Sequence, residues 1–592
     1  MSGAVASTSI TLPLPRRRAA AWASLTSLRL AAPLGSLLIL GLLVLAPLLT
    51  MLVASLRPAG TFPLDAGPLV LSNFAGVYLE AGSSTLSMLR NTAIYAVVPI
   101  CLALPLAFGL AFLTERTDLP LRQLVSTLMF VPMSVPVFAS AMSWFLLLGP
   151  RAGTLNMWIR SLFGLDIREG PFNILTLQGM VFVHALGIVP SMWLILISVL
   201  RAMDPSLEEA AAAAGVSRWR TLRGVTIPLM APAILGTIIL FVVVGIDSLE
   251  TPLALGRPAG VEVMSTRVYD LLHQPTGVGF AYGPPAALGL LGLVVGLAGI
   301  GLYMALTRRA SRYVVVTGKA YRPRPLKLGA WRYVALALVG VYLILQVGLP
   351  FGILLATSFQ RFYQPLVPGA AIAWTPSNYL SMLDYRFFGQ YFVNTILVSV
   401  GAATLTMLLV SFVAWQIVRW PSRLTQALNV LAFLPLAIPG VISGLALLLL
   451  FIGTPLYGTL VLLVIAFLAR FLAYGTRLMH SAQVQIHREL EEAAVVSGVP
   501  YLRSFLWINL RLLLPAFLNG WLWVLTHAAR DFTTPLMVAS ASSLLASNLI
   551  FGRYADGKFP ESAAMMVVLV LFSACAVLIG RKWLAQALVD QT

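Results

Sequence analysis

Apolar residues run along this chain in long blocks, and polar residues gather in the gaps between them. About 20 consecutive apolar residues, wound as a helix, cross a bilayer core. By that measure the pattern predicts spans near 34–56, 89–113, 124–149, 174–200, 229–248 and 284–306. A second set is predicted near 332–357, 389–417, 427–453, 458–476, 512–529 and 562–580. The expected fold class is all-α, a polytopic membrane protein of about twelve transmembrane helices.

Composition agrees. Of 592 residues, 59% are hydrophobic and 10% charged, too few charges to cover a water-facing surface, so the lipid bilayer is an expected partner. The net charge of +18 sits in the gaps. Arg16, Arg17 and Arg18 precede the first span. Between the sixth and seventh spans stand Arg308, Arg309, Arg312, Lys319, Arg322, Arg324, Lys327 and Arg332, with no acidic residue. Lys and Arg accumulate in cytoplasmic loops, so this gap and both termini are expected in the cytoplasm. Charge scattered in this way makes no patch for nucleic acid, and no such partner is expected. The first apolar run exceeds a signal-peptide core and no small-residue cleavage site follows it, so it reads as a retained span behind a tail, 1–33. Cys101 and Cys575 fall inside spans and are expected to be buried apolar residues.

The second set of spans repeats the first. Asn91-Thr92 and Asn394-Thr395 open the second span of each set, 303 residues apart, and Ser55 and Ser358 keep that offset. Pro132 and Pro136 in the third span of the first set match Pro435 and Pro439 in the second, also at 303. These Pro-x-x-x-Pro pairs read as packing kinks. Further on, the offset falls to 283, and a loop near 150–172 accounts for the 20 residues missing from the second set. The chain therefore reads as a duplication. Two parallel six-span units, 34–308 and 331–585, are joined by a basic linker, 309–330. A pseudo-twofold axis along the membrane normal and a path between the halves follow from that plan.

Two polar, alanine-rich segments interrupt the apolar pattern between the fourth and fifth spans of each half. They occupy 204–228 and 487–511 and carry LEEAAAAAGVSRWR and LEEAAVVSGVPYLR. Ser206 followed by Glu209 fits a capping box, Pro205 is tolerated in a first turn, and Glu208 and Glu209 complement the helix dipole. Gly215 and Gly498 each follow the second glutamate by six residues and suit a left-handed helix end. The segments thus read as helix–turn–helix elements on the cytoplasmic face.

Glu-Ala-Ala followed by Gly at this spacing resembles the EAA loop of type I importer permeases of the ATP-binding cassette superfamily. The resemblance covers essentially the whole chain. It implies two tandem six-helix permease units whose EAA loops are coupling helices docked on two copies of an ATP-binding subunit. Position by position, it assigns docking to Glu208, Glu209, Ala210, Ala211 and Gly215, and to Glu491, Glu492, Ala493, Ala494 and Gly498. It further implies a bacterial inner (plasma) membrane location and a periplasmic or lipid-anchored substrate-binding protein as partner. The family often has a proline thirteen residues after the glycine. Pro228 stands there in the first half and Arg511 in the second, so the second loop is expected to leave at a different angle. Pro232 and Pro515 do correspond.

No G-x-x-x-x-G-K-[ST] phosphate loop occurs, and Gly318-Lys319 reads as a linker pair. ATP and Mg are therefore expected on the partner subunit, with no cofactor, metal or catalytic residue on this chain. The rival class, an ion-coupled secondary transporter, needs ionisable residues at mid-membrane, and His184, Arg470 and His527 are the candidates. A membrane enzyme finds no metal spacing, nucleophile elbow or paired carboxylates on one face.

The fifth spans end alike, in IDSLETPLALG and ARDFTTPLMVA, with Thr251-Pro252 and Thr534-Pro535 at the 283 offset. Proline there breaks the helix, which a membrane tolerates only facing protein or water. Asp247, Glu250, Arg530 and Asp531 surround the breaks, so Asp247, Glu250, Thr251, Pro252, Asp531, Thr534 and Pro535 are candidates for a gate or passage lining on the outer side. The alternative is capping at the bilayer surface. Among fused permeases, ETPLALGRPAGVEVMSTRVYDLL is most similar to the ferric iron group. That branch also handles phosphonates, thiamine and polyamines.

Overall fold

The computed structural model describes residues 29–589 apart from 59, 66, 166–168, 205, 274, 277–278, 311–325, 368 and 385. Most of the expected tail, and the linker with Gly318-Lys319, therefore lie outside the described residues. In the first half the spans are α1 Arg29–Ser55, α2 Gly82–Arg116, α3 Arg122–Ser134 with α4 Val137–Leu148, α6 Leu177–Ala202, α8 Arg218–Asp247 and α10 Gly283–Ala310. Between them lie α5 Thr154–Phe163, α7 Ser206–Ala213 and α9 Met264–His273. The second half repeats the order. Its spans are α11 Trp331–Ser358, α12 Arg386–Arg419, α13 Arg423–Ala437 with α14 Gly440–Phe451, α15 Leu460–Val484, α17 Tyr501–Leu512 with α18 Leu514–Arg530, and α20 Phe559–Val589. Between these stand α16 Glu489–Val496 and α19 Ala546–Ala555. Among the described residues nine helices are long and apolar enough to cross a membrane, or twelve if each of three bent pairs counts as one span.

The third spans are not kinked but broken. α3 and α4 meet at 91°, α13 and α14 at 111°. The cause is local: a residue before proline is driven out of the helical region, and proline has no N–H to continue the ladder. Val135 (ψ 128°) precedes Pro136, and Ile438 (ψ 114°) precedes Pro439. The exits of the two polar segments also differ, as Arg511 in place of a proline led us to expect. α8 runs on as one helix, whereas α17 and α18 bend by 75°.

The halves interlock. The end of α1, Ala46–Ser55, packs on α14 of the second half, and the end of α11, Leu349–Ser358, packs on α4 of the first. Tyr342 donates across the boundary to Leu186 O at 3.3 Å. One continuous apolar cluster fills both halves. The added loop near 150–172 carries α5 on the side opposite α7 and α16. There Tyr363 of the second half donates to Leu146 O (2.9 Å) and Ala152 O (2.7 Å) of the first, and Trp158 donates to Leu366 O. Burial pushes the Tyr363 phenol up to about 12, with a Thr154 hydrogen bond acting against it.

Cys101 and Cys575 are exposed on the protein surface within their spans. The expectation of burial was wrong because a residue hidden from water by lipid need not be covered by protein.

Candidate functional site

Each polar segment folds as a short helix followed by a left-handed glycine: α7 with Gly215 (φ 74°) and α16 with Gly498 (φ 87°). The next amides, Val216 N and Val499 N, donate back to Ala211 O and Ala494 O, both at 3.0 Å, which closes the helix end. Asp204 supplies the cap expected of Ser206. Its Oδ1 accepts from Ser206 N at 2.9 Å, and Ser206 is already the first helical residue.

Adjacent glutamates on a helix point about 100° apart, and the structure divides each pair by role. Glu491, expected on the docking surface, is instead buried. It accepts from Arg419 Nε, from Trp415 Nε1 at 3.2 Å and from Asn509 Nδ2 at 2.6 Å. Glu208 makes the looser equivalent, 3.5 Å from Arg116 Nε and accepting from Thr226 Oγ1 at 2.8 Å. Arg116 and Arg419 end α2 and α12, 303 residues apart, and Thr226 and Asn509 keep the 283 offset. The first glutamate of each pair therefore anchors its segment to its own bundle. Glu209, Ala210 and Gly215, like Glu492, Ala493 and Gly498, are exposed, and Ala211 and Ala494 are half-buried. Glu492 pairs with Arg488 at 2.9 Å, both 55% exposed.

The two anchors are not alike. Around Glu491, Trp415, Trp420, Tyr501 and Phe505 form a packed aromatic cluster. The corresponding residues of the first half, Phe112, Thr117, Arg218 and Leu222, line a cleft of about 330 Å³ instead. The end of the linker enters it. Leu326 pairs with the backbone beside Thr117 (Leu326 N to Arg116 O, 2.8 Å; Asp118 N to Leu326 O, 3.1 Å). Leu328 N donates to Asp118 Oδ1 at 2.7 Å, and Arg218 donates to Lys327 O at 2.9 Å. The linker thus braces the first segment where aromatic rings brace the second.

The second region lies inside the bundle, at the ends of α8 and α18. Both helices stop where the chain turns extended, at Ser248 (ψ 114°) and Asp531 (ψ 129°), so Pro252 and Pro535 lie within new short helical turns instead of ending the spans. The break frees Asp247 and Glu250 to reach the helices opened by the broken third spans. Asp247 Oδ1 accepts from Val441 N near the start of α14 (3.1 Å), and Glu250 Oε2 from Phe138 N near the start of α4 (3.0 Å). Glu250 Oε1 also takes Phe532 N at 3.4 Å. Carboxylates suit these positions because the first amides of a helix lack internal partners and carry its positive end. Arg470 lies 3.1 Å from Asp531 and 3.5 Å from Asp247, joining the halves. It stands part-way along the candidate span α15, not at its end. The absence of a side chain at Gly440 leaves room for the Arg470 guanidinium, which an added Cβ would displace.

Thr534 N caps onto Asp531 Oδ1 at 2.8 Å, and Arg470 donates to Thr534 Oγ1 at 3.3 Å. Thr251, Pro252 and Pro535 are buried packing around the cluster. Arg530 Nη2 lies 2.7 Å from His527 Nε2, and His527 is stacked on Trp523. His184 is buried against Tyr95, ring to ring at 4.9 Å. Among the described residues no group of three His, Cys, Asp or Glu could hold a metal ion. The sequence reading missed Arg116, Arg419, Thr226 and Asn509, although their offsets of 303 and 283 were there to be found.

The chain matches the family model described as "Binding-protein-dependent transport system inner membrane component" twice, over 103–312 and 407–589. It is 25% identical over 486 residues to the ferric transport system permease protein FbpB of Actinobacillus pleuropneumoniae, covering 80% of this chain and 67% of that one. It is 22% identical over 503 residues to the Fe(3+)-transport system permease protein FbpB 2 of Haemophilus influenzae, covering 84% and 90%. A bacterial alginate ABC transporter crystallised with its periplasmic protein is similar at 19% identity and a TM-score of 0.33, over 41% of this chain and 84% of that one.

Proposed function

Because the chain belongs to the binding-protein-dependent transport system inner membrane component family, a set of multi-pass membrane permeases, we propose that it forms the entire path of an importer driven by a separate ATPase. Both termini lie in the cytoplasm in this reading. Two ATPase copies grip α7 and α16, and ATP and Mg stay on those subunits. A periplasmic or lipid-anchored binding protein delivers the cargo at the opposite face.

The observation that carries the proposal is the pair of matched segments. Each presents an exposed glutamate, Glu209 or Glu492, on a helix whose other glutamate is tied to an arginine at the end of a long span. A pull on the exposed face then moves the bundle, because the anchor converts a surface contact into displacement of α2 or α12. ATP shifts the two halves only through different affinities for their two arrangements. The Arg470–Asp247 pair and the Asp247–Val441 and Glu250–Phe532 bonds cross the halves, so they form the latch that parts when the path opens. The cargo proposed is ferric iron, the substrate named for the FbpB relatives, before phosphonate, thiamine or polyamine.

The test is uptake into vesicles holding this chain and its ATPase, with the cargo-loaded binding protein supplied at the opposite face. Uptake should stop when the ATPase is inactivated and persist when the proton gradient is collapsed. Uptake without ATP would contradict the proposal.

A further inference from the structure

A cavity of about 240 Å³ opens beside the latch, lined by His184, Gly187, Asp247, Glu250, Gln346 and Arg470 among others. The duplication explains its position. α6 and α15 share one register: their N-caps, Thr176 and Thr459, are 283 residues apart and accept from Gly179 N (3.1 Å) and Leu462 N (3.4 Å). In that register Arg470 corresponds to Gly187, and a Cβ added at Gly187 would meet nothing within 4 Å. Where the second half fills the space with a guanidinium, the first leaves room for one.

The surrounding chemistry is that of a cation site. Glu250 rests on two backbone amides, and among the described residues no cationic side chain forms an ion pair with it. Gln346 Oε1, His184 Nε2 and Ser140 Oγ line the cavity without hydrogen-bond partners, in residues only 4%, 6% and 6% exposed. A buried polar atom left unpaired is costly, so such atoms mark a place that something else completes. The spare capacity includes strong acceptors: carboxylates and an amide oxygen accept, and each guanidinium nitrogen of Arg470 already faces one partner, Asp247, Asp531 or Thr534.

Resting on the permease reading above, we infer that this cavity is a way-station for a compact cation rich in hydrogen-bond donors. A protonated amine and a metal ion keeping its water shell share that chemistry. Glu250, Asp247 and Gln346 receive its donors at the place the missing guanidinium would take. With no three-ligand cluster among the described residues, a metal is recognised through its water and not chelated. Loose holding of this kind lets a passing ion leave again.

The test uses the full chain in lipid nanodiscs, with calorimetric titration of hexaamminecobalt(III), putrescine and sulfate. At least one cation should bind and sulfate should not. Hexaamminecobalt(III) alone would identify a hydrated metal ion, putrescine alone an amine. Gln346→Leu and Glu250→Gln should each weaken binding about tenfold, the scale of one lost charge-assisted hydrogen bond. Gly187→Arg, which supplies the guanidinium, should fold with an unchanged melting temperature and abolish binding. Sulfate binding, no binding by either cation, or cation binding undiminished in folded Gly187→Arg would overturn the inference. Wild-type chain that takes up cargo with ATP but binds neither cation defeats this inference alone. Loss of ATP-dependent uptake defeats the permease reading, whatever binds.

Discussion

Asp247 of the first half accepts a hydrogen bond from Val441 N of the second at 3.1 Å, so a side chain from one repeat caps a helix of the other. The bond exists because two separate helix breaks, after Asp247 and before Pro439, point their ends at each other. Removing the carboxylate with Asp247→Ala should cost about 1–2 kcal/mol, the usual worth of a helix cap, and leave Arg470 with one acid fewer. Asp247→Asn, whose amide oxygen still accepts, should lose less. Thermal unfolding of the two variants in detergent checks the order, and equal losses would show that the cap contributes nothing.

Glu491 and Glu492 are neighbours with opposite duties. Glu491→Gln removes the charge facing buried Arg419, and breaking a buried pair from one side costs about 3–5 kcal/mol. Glu492→Gln, at an exposed position, should change stability by less than about 0.5 kcal/mol. The double replacement Glu209→Ala with Glu492→Ala should nevertheless release the ATPase in a pull-down while leaving membrane insertion intact. Retained binding with undiminished transport would count against the docking role.

The aromatic cluster at the second segment and the cleft at the first predict unequal stiffness. Amides of residues 206–222 should exchange with solvent faster than those of 489–505, read by hydrogen exchange with mass spectrometry. Leu326→Asp, which puts a charge in the cleft, should raise exchange at the first segment alone. A uniform rise in both segments would contradict a local brace.

On the far side, Tyr363 ties the halves through two carbonyls. Tyr363→Phe leaves both without this donor and should cost about 1–2 kcal/mol. The tie is also pH-dependent in one direction. Burial favours the neutral phenol, raising it from near 10 in the unfolded chain to about 12 in the fold. Its contribution is complete below pH of about 10 and is lost as pH climbs toward 12. The difference in melting temperature between wild type and Tyr363→Phe should shrink over that interval.

The spans and the duplication were legible because both are patterns of spacing: apolar runs of membrane length, and anchors recurring at 303 and 283. What spacing does not carry is which side chain faces which. Pro136 and Pro439 signalled a disturbance. Each proline broke its helix locally, at 91° and 111°, and the freed helix starts are completed by Glu250 and Asp247, more than a hundred residues away along the chain in each case, a pairing that spacing does not show. The doublets Glu208-Glu209 and Glu491-Glu492 likewise show that one glutamate faces inward without saying which. That choice is made by Arg116 and Arg419, reached only through the fold.

The claim at the centre is that both exposed segments are drawn together by an outside motor. Spin labels at positions 214 and 497, exposed and at the 283 offset but outside the docking glutamates, in a chain with Cys101 and Cys575 replaced by serine, report the separation of the two segments by pulsed electron resonance. With the ATPase bound, the distance should shorten when ATP is added under conditions that block hydrolysis, and relax when nucleotide is removed. A distance that stays fixed through that cycle, in a complex shown to transport, would contradict it.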